Sequence, residues 1–309
     1  MILPEDITKI NGYAFYNRNQ LTSIATGDGV TEIGEDAFSI CNSLKTVVVG
    51  DGVVTIKSDA FVYCPNLSEI MLGKNLVDIE MQVFKGCKRL TKITVDEANT
   101  EYKSVDGDLY TKAGTELLQY AIGKAETMVT ILPEVTRIGI GTFRLCDAVT
   151  DVVIGDHVLT VADWAFADCE NLTSISFGKS VKYISDVAFD HTKLLNITVN
   201  EENARYRAEN GVLYSYGNGI KSLQLYAARN TAETFVVPDD VSCIGRHAFE
   251  RCIYLKNVLI GSNVNKIVSY AFNTCENLTS VNVASANTVV EENAFFQCEK
   301  LTVTVLSES

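Results

Sequence analysis

Eight of the nine cysteines keep one place in the chain, three residues after a phenylalanine: Cys41, Cys64, Cys87, Cys146, Cys169, Cys252, Cys275 and Cys298. Arg18 and Thr192 hold that place in two further units. Thiols so spaced could form disulfides, bind a metal or fill a core. Adjacent units would bring their Cα atoms to about 5 Å, within bonding reach. Stacked side chains, however, point in parallel rather than at each other, and the odd total argues against complete pairing. No C-x-x-C or nearby histidine completes a four-ligand set, so no metal is expected. A ladder of small buried thiols, one per unit, is the expected role, in a reducing setting or shielded from oxidants. Cys243 lies outside the column, between Val241 and Ile244, and is expected to be partly exposed.

Other reactive groups show no common plan. His157, His191 and His247 occupy different columns of different units. No H-E-x-x-H, G-x-S-x-G, P-loop or Rossmann glycine pattern is present. "GDGV" at 27–30 and 50–53 could suggest calcium, yet an Asp-Gly pair also suits a corner between strand and turn. Carboxylates are abundant, and their pairing in space is hidden from the sequence. The chain is not expected to be an enzyme or to carry a cofactor. The formal charge of −13 disfavours nucleic acid, whose phosphates need a Lys/Arg surplus. No apolar run is long enough to insert in a membrane. The opening "ILPEDITKIN" (2–11) is already repeat-like, without a leader, which suggests an array once longer.

What must hold the cysteine column is a repeat. The phenylalanines at 15, 38, 61, 84, 143, 166, 189, 249, 272 and 295 are 23 residues apart, except across two gaps of 59 and 60. An aliphatic residue stands five before each, usually with alanine one before. After the ring come leucine and an I-x-I or V-x-V pair, as in "LKTVVV" (44–49). Alternation is the period of a strand, and "DAFSIC" suggests about one helical turn. A single unit cannot bury its own apolar face, but stacked units can merge theirs into one core. The expectation is an α/β repeat solenoid of ten coils over residues 1–309, a leucine-rich repeat right-handed coil with a parallel β-sheet on the concave face. A right-handed β-helix is the structural competitor, which the Ala-Phe turn suits poorly.

The phrase I-G-x-x-A-F-x-x-C-x-x-L-x-x-I-x-I resembles the BspA-type leucine-rich repeat of bacterial and some protist surface proteins, over nearly the whole chain. That resemblance implies an extracellular or cell-surface, non-catalytic interaction module that binds protein, or a glycan, on host, matrix or neighbouring cells. A spacer array without a specific ligand is the alternative, and a surface hydrolase the third reading.

Two similar insertions fill the gaps, at about 96–132 and 200–237, and read as β-hairpins turning at "TKAGT" and "SYGNG". Seven of the thirteen tyrosines lie in them. Tyr102, Tyr110, Tyr206, Tyr214 and Tyr216 are candidate contacts, because tyrosine joins apolar area to a polar tip. Packing of the hairpin onto the coil edge is the competing role. On the concave sheet, the column between paired aliphatics offers Val48, Met71, Val153, Ser176, Leu259 and Asn282.

Overall fold

Apolar residues that recur every 23 positions make parallel ladders the natural partners, because each winding brings the same residue back beside its predecessor. A computed structural model describes residues 1–305 in this arrangement and divides them into two compact units. Unit 1 contains Met1–Thr127, Glu134–Val149 and Val161–Cys169. Unit 2 contains Met128–Pro133, Thr150–Thr160 and the chain from Glu170 onward.

Within unit 1, strands Ser23–Ala25, Thr46–Val48, Glu69–Leu72 and Lys92–Val95 pair in parallel, with Ile24, Val47, Ile70 and Ile93 in register. A second parallel sheet joins Lys9–Ile10, Glu32–Ile33, Thr55–Ile56 and Asp78–Ile79, so the aliphatic five before each phenylalanine also lies in a strand. Unit 2 repeats the plan with Met128–Thr130, Asp151–Ile154, Ser174–Phe177 and Asn196–Val199. It continues with Thr234–Val236, Asn257–Ile260, Ser280–Val283 and Thr302–Val305. Each insertion carries antiparallel strands, Tyr102–Val105, Asp108–Thr111 and Glu116–Gln119 in the first, Tyr206–Glu209, Val212–Gly217 and Ile220–Tyr226 in the second.

The expected helical turn is absent, and the α/β class is corrected to a β-solenoid: among the described residues there is no helix. The reason is local. Residues two before and two after the ring take positive φ, as at Asp36 (φ 53) and Ile40 (φ 60), Asp59 (φ 58) and Tyr63 (φ 53). A left-handed residue interrupts any helix and costs roughly 1–2 kcal/mol where it is not glycine. Hydrogen bonds offset that cost. The Asp36, Phe38 and Ile40 N–H groups donate to the next winding at Ser58, Ala60 and Val62. The alternate N–H groups of Ala37, Ser39 and Cys41 close turns onto Gly34, Asp36 and Phe38. Half of the donors thus leave the segment, where a helix would keep them all.

The rings stack along each unit. Phe15, Phe38, Phe61 and Phe84 have successive centroids 5.0, 5.1 and 6.1 Å apart. Tyr120, Phe143 and Phe166 follow at 4.6 and 4.9 Å. In unit 2, Tyr226, Phe249, Phe272 and Phe295 stack at 5.1, 4.6 and 5.1 Å. Tyr120 and Tyr226 precede Phe143 and Phe249 by one period of 23 and occupy the ring column. Each insertion therefore ends in a winding that phenylalanine spacing alone does not reveal.

The "GDGV" corners are explained by the same stacking. A Cβ at Gly50 would run into the Gly27 carbonyl oxygen of the preceding winding. Asp28 accepts the Asp51 N–H at 2.9 Å, and Asp51 is bound by Lys74 at 2.8 Å, so these carboxylates bind the neighbouring winding.

Candidate functional site

The outward column of the I-x-I strands is where the coil leaves side chains uncovered. In unit 1, Val48 and Met71 lie opposite each other in register, 42% and 53% exposed. They share a shallow groove with Thr94, and its lip carries Asp28, Asp51, Asp96 and Glu97. In unit 2, Val153 is exposed beside half-buried Ser176, and exposed Leu259 lies beside half-buried Asn282. All six candidate sheet residues thus hold the same place in the repeat, Val48 and Met71 in a sheet of unit 1 and the other four in two sheets of unit 2.

The hairpin tyrosines sit differently. Tyr110, Tyr206 and Tyr214 are buried, and Tyr102 and Tyr216 half-buried. Burial pushes the Tyr110 and Tyr214 hydroxyls well above the usual range. Tyr102 accepts the Ile79 N–H at 3.2 Å, and Tyr206 accepts that of Ile184 at 3.1 Å, so the matched tyrosines fasten each insertion to the free edge of a strand. Lys221 lies over the Tyr214 ring, 4.3 Å from its centroid, and pairs with Asp240 at 3.0 Å.

Sequence reasoning missed two features. One is a pair of buried asparagines opening the insertions. Asn99 donates to the Gly73 and Leu76 carbonyls and accepts the N–H groups of Glu101 and Tyr102. Asn203 repeats the set with Gly178, Val181, Arg205 and Tyr206. The signal was available in the aligned phrases "DEANTEY" (96–102) and "NEENARY" (200–206).

The other is a cluster in unit 2 formed by Asp190, His191, His247 and Glu250, which line one small cavity. His247 Nδ1 stands 3.5 Å from Asp190 Oδ1 and 3.4 Å from Glu250 Oε1. His191 Nε2 lies 3.6 Å from Glu250 Oε1. Burial, and then the charge of Glu250, push Asp190 up to about 7. Glu250 is held below its usual range in spite of burial, by His247 and by the Asn273 amide at 2.6 Å. Asp190 and Glu250 share one column, directly after the ring, in windings separated by the whole second insertion. His157 is exposed and apart from this group.

With coil, columns and insertions in place, the pattern described as "BspA type Leucine rich repeat region" matches residues 1–105, 136–225 and 222–309, in six copies. The chain belongs to this family. No curated protein matches it. The fold is similar to that of the pneumococcal vaccine antigen PcpA (21% identity, TM-score 0.60), over 98% of this chain and 66% of that one. The chain therefore spans just under two thirds of that solved chain. It is also similar to a leucine-rich repeat protein of Eubacterium ventriosum (20% identity, TM-score 0.60), over 94% of this chain and 85% of that one. A leucine rich cell surface protein of Faecalibacterium prausnitzii shares 24% identity with a TM-score of 0.55, over 99% of this chain and 87% of that one.

In these BspA-type windings the cysteine column has a definite hydrogen-bond role. Cys64, Cys87, Cys169 and Cys275 donate to Phe38, Phe61, Phe143 and Phe249 carbonyl oxygens one winding back, at 2.9–3.1 Å. Seven column thiols are buried, Cys298 is half-buried, and all nine cysteines are free. Burial pushes Cys87 up to about 12 and Cys169 well above its usual range, and the neighbouring Cys252 thiol, together with burial, raises Cys275 likewise. Because a bulky reagent must reach the sulfur, an aromatic disulfide reagent should titrate the partly exposed Cys243 and Cys298 in the native protein and the seven buried thiols only in denaturant. A count of reactive thiols before and after denaturation checks this; rapid modification of all nine would contradict the burial.

Proposed function

We propose that the chain is a non-catalytic interaction module of a bacterial cell-surface protein and binds a protein partner on host, matrix or neighbouring cells through its outward sheet column. The carrying observation is the exposed Val48–Met71 pair beside an acidic lip. Lys74 neutralises Asp51, so the charge of the lip rests on Asp28, Asp96 and Glu97, all exposed. An apolar anchor flanked by Lys or Arg is the partner chemistry this strip complements. Membership of the BspA-type family and likeness to a leucine rich cell surface protein support the surface setting. Among the described residues no helix is long and apolar enough to cross a membrane.

The test is capture from a panel of extracellular-matrix proteins and glycans by the wild-type chain and by Val48→Lys/Met71→Lys. Loss of a central apolar anchor costs about 2 kcal/mol or more, roughly 30-fold in Kd. The melting temperature should be unchanged, because both side chains already face solvent. Equal capture by the two forms would remove the sheet column from the reading. No capture by either would favour an array without a specific ligand.

A further inference from the structure

Two buried polar atoms in the unit 2 cavity, Asp190 Oδ1 and His247 Nδ1, have no hydrogen-bond partner among the described residues. A third such atom belongs to the same cavity's wall: the hydroxyl of Tyr226, a residue only 1% exposed. Three orphaned polar groups around one void are costly, since each forfeits its bonds to water at about 1–3 kcal/mol. The donor atoms of Asp190, His247 and Glu250 all lie within 4.8 Å of one another. Their 3.4 and 3.5 Å separations exceed the roughly 2.7–3.2 Å of a hydrogen bond. They match the edge of a tetrahedron whose centre bonds nitrogen and oxygen at about 2.0–2.2 Å.

We propose that Asp190, His247 and Glu250 form a site for one first-row divalent cation, zinc(II) by preference, which staples the winding before the second insertion to the winding after it. The imidazole donor selects against calcium and magnesium, which take oxygen ligands. The void, ≈ 30 Å³, has room for one small ion or water. Two carboxylates and one imidazole converge in a mostly buried pocket, a donor set that a single divalent ion satisfies. The supporting shell is present: Asn273 orients Glu250 Oε1, and the His247 ring stacks on Tyr270 at 5.7 Å. His191 stands half-exposed beside the cluster, its Nε2 3.6 Å from Glu250 Oε1.

The four places corresponding to Asp190, His191, His247 and Glu250 around the first insertion hold Lys85, Gly86, Gly141 and Arg144. There Arg144 joins its surroundings through Asp168 at 3.1 Å and Gln82 at 3.3 Å. The acid-histidine set is therefore peculiar to the second insertion and is not a by-product of the repeat.

The experiment titrates the untagged, chelator-stripped full chain with zinc chloride by calorimetry, with cobalt(II) as a spectroscopic probe. Expected are one equivalent bound at micromolar Kd or tighter, a rise in melting temperature, and the intense visible bands of tetrahedral cobalt. His247→Asn, whose asparagine tolerates the positive φ of 55 at that residue, and Asp190→Asn, which leaves the Glu250–Asn273 bond intact, should each weaken binding about 100-fold. Cys243→Ser/Cys298→Ser should bind zinc as the wild type does. The site is overturned by an absence of stoichiometric binding, by binding that survives both ligand variants, or by binding that follows the cysteine pair. In the first case the void holds a water molecule only.

Discussion

Phe61→Ala is expected to destabilise unit 1 by about 3–5 kcal/mol, the upper range for a truncated core ring. Phe61 is fully buried and sandwiched between Phe38 and Phe84 at 5.1 and 6.1 Å. Its surroundings cannot collapse into the gap, because the backbone on both sides is tied across windings. The Phe61 N–H donates to Val83, and its carbonyl receives the Cys87 thiol at 3.1 Å. A cavity that cannot relax costs both the lost transfer energy and the lost contacts. The exposed Phe296 supplies the control, and its alanine variant should change stability by less than about 0.5 kcal/mol. Urea unfolding followed by circular dichroism reads both. A loss for Phe61→Ala below about 1 kcal/mol would mean that the ring column is not the core of the stack.

Asn203→Ala is expected to cost about 3 kcal/mol or more, although it removes a small polar side chain, because leaving buried groups unsatisfied costs about 1–3 kcal/mol for each. Its amide serves two carbonyls, and its oxygen serves two N–H groups, all within hydrogen-bond distance at 2.8–3.1 Å. Alanine orphans these four at a position that is fully buried. Asn203→Asp is the sharper variant, because it keeps the acceptor and sets a carboxylate against the Gly178 and Val181 carbonyls. Hydrogen exchange should show the loss first in Tyr206–Glu209, with faster proteolysis of the second insertion and little change in unit 1. Asn99→Ala should do the same at Tyr102–Val105. Unchanged protection in both hairpins would show that the asparagines do not hold them.

Both residues expose what a one-dimensional reading can and cannot reach. Phe61 was legible because a 23-residue period repeats its neighbourhood, and periodic apolar positions have one way to be buried together. Asn99 and Asn203 were not, because an asparagine in a loop ordinarily marks a turn, and only the burial of its amide makes it a strut. The tyrosines show the same divide. Their matched positions were visible, but tyrosine serves equally as a surface contact or a core ring. Packing decided for the core at Tyr110 and Tyr214 and placed Tyr120 and Tyr226 in the phenylalanine stack.

From the amino-acid order alone came the repeat, its length, the inward columns and the place of the thiols, since each follows from residues a few positions apart recurring at a constant interval. Tertiary structure decided the rest. It turned the Ala-Phe segment away from a helix, because half of its N–H donors find acceptors in the next winding, a partner 22 or more residues away. It also brought Asp190 to His247 and Glu250 across an insertion that separates them in the chain. Local pattern carries no record of such contacts, because the interaction exists only once winding has closed the distance.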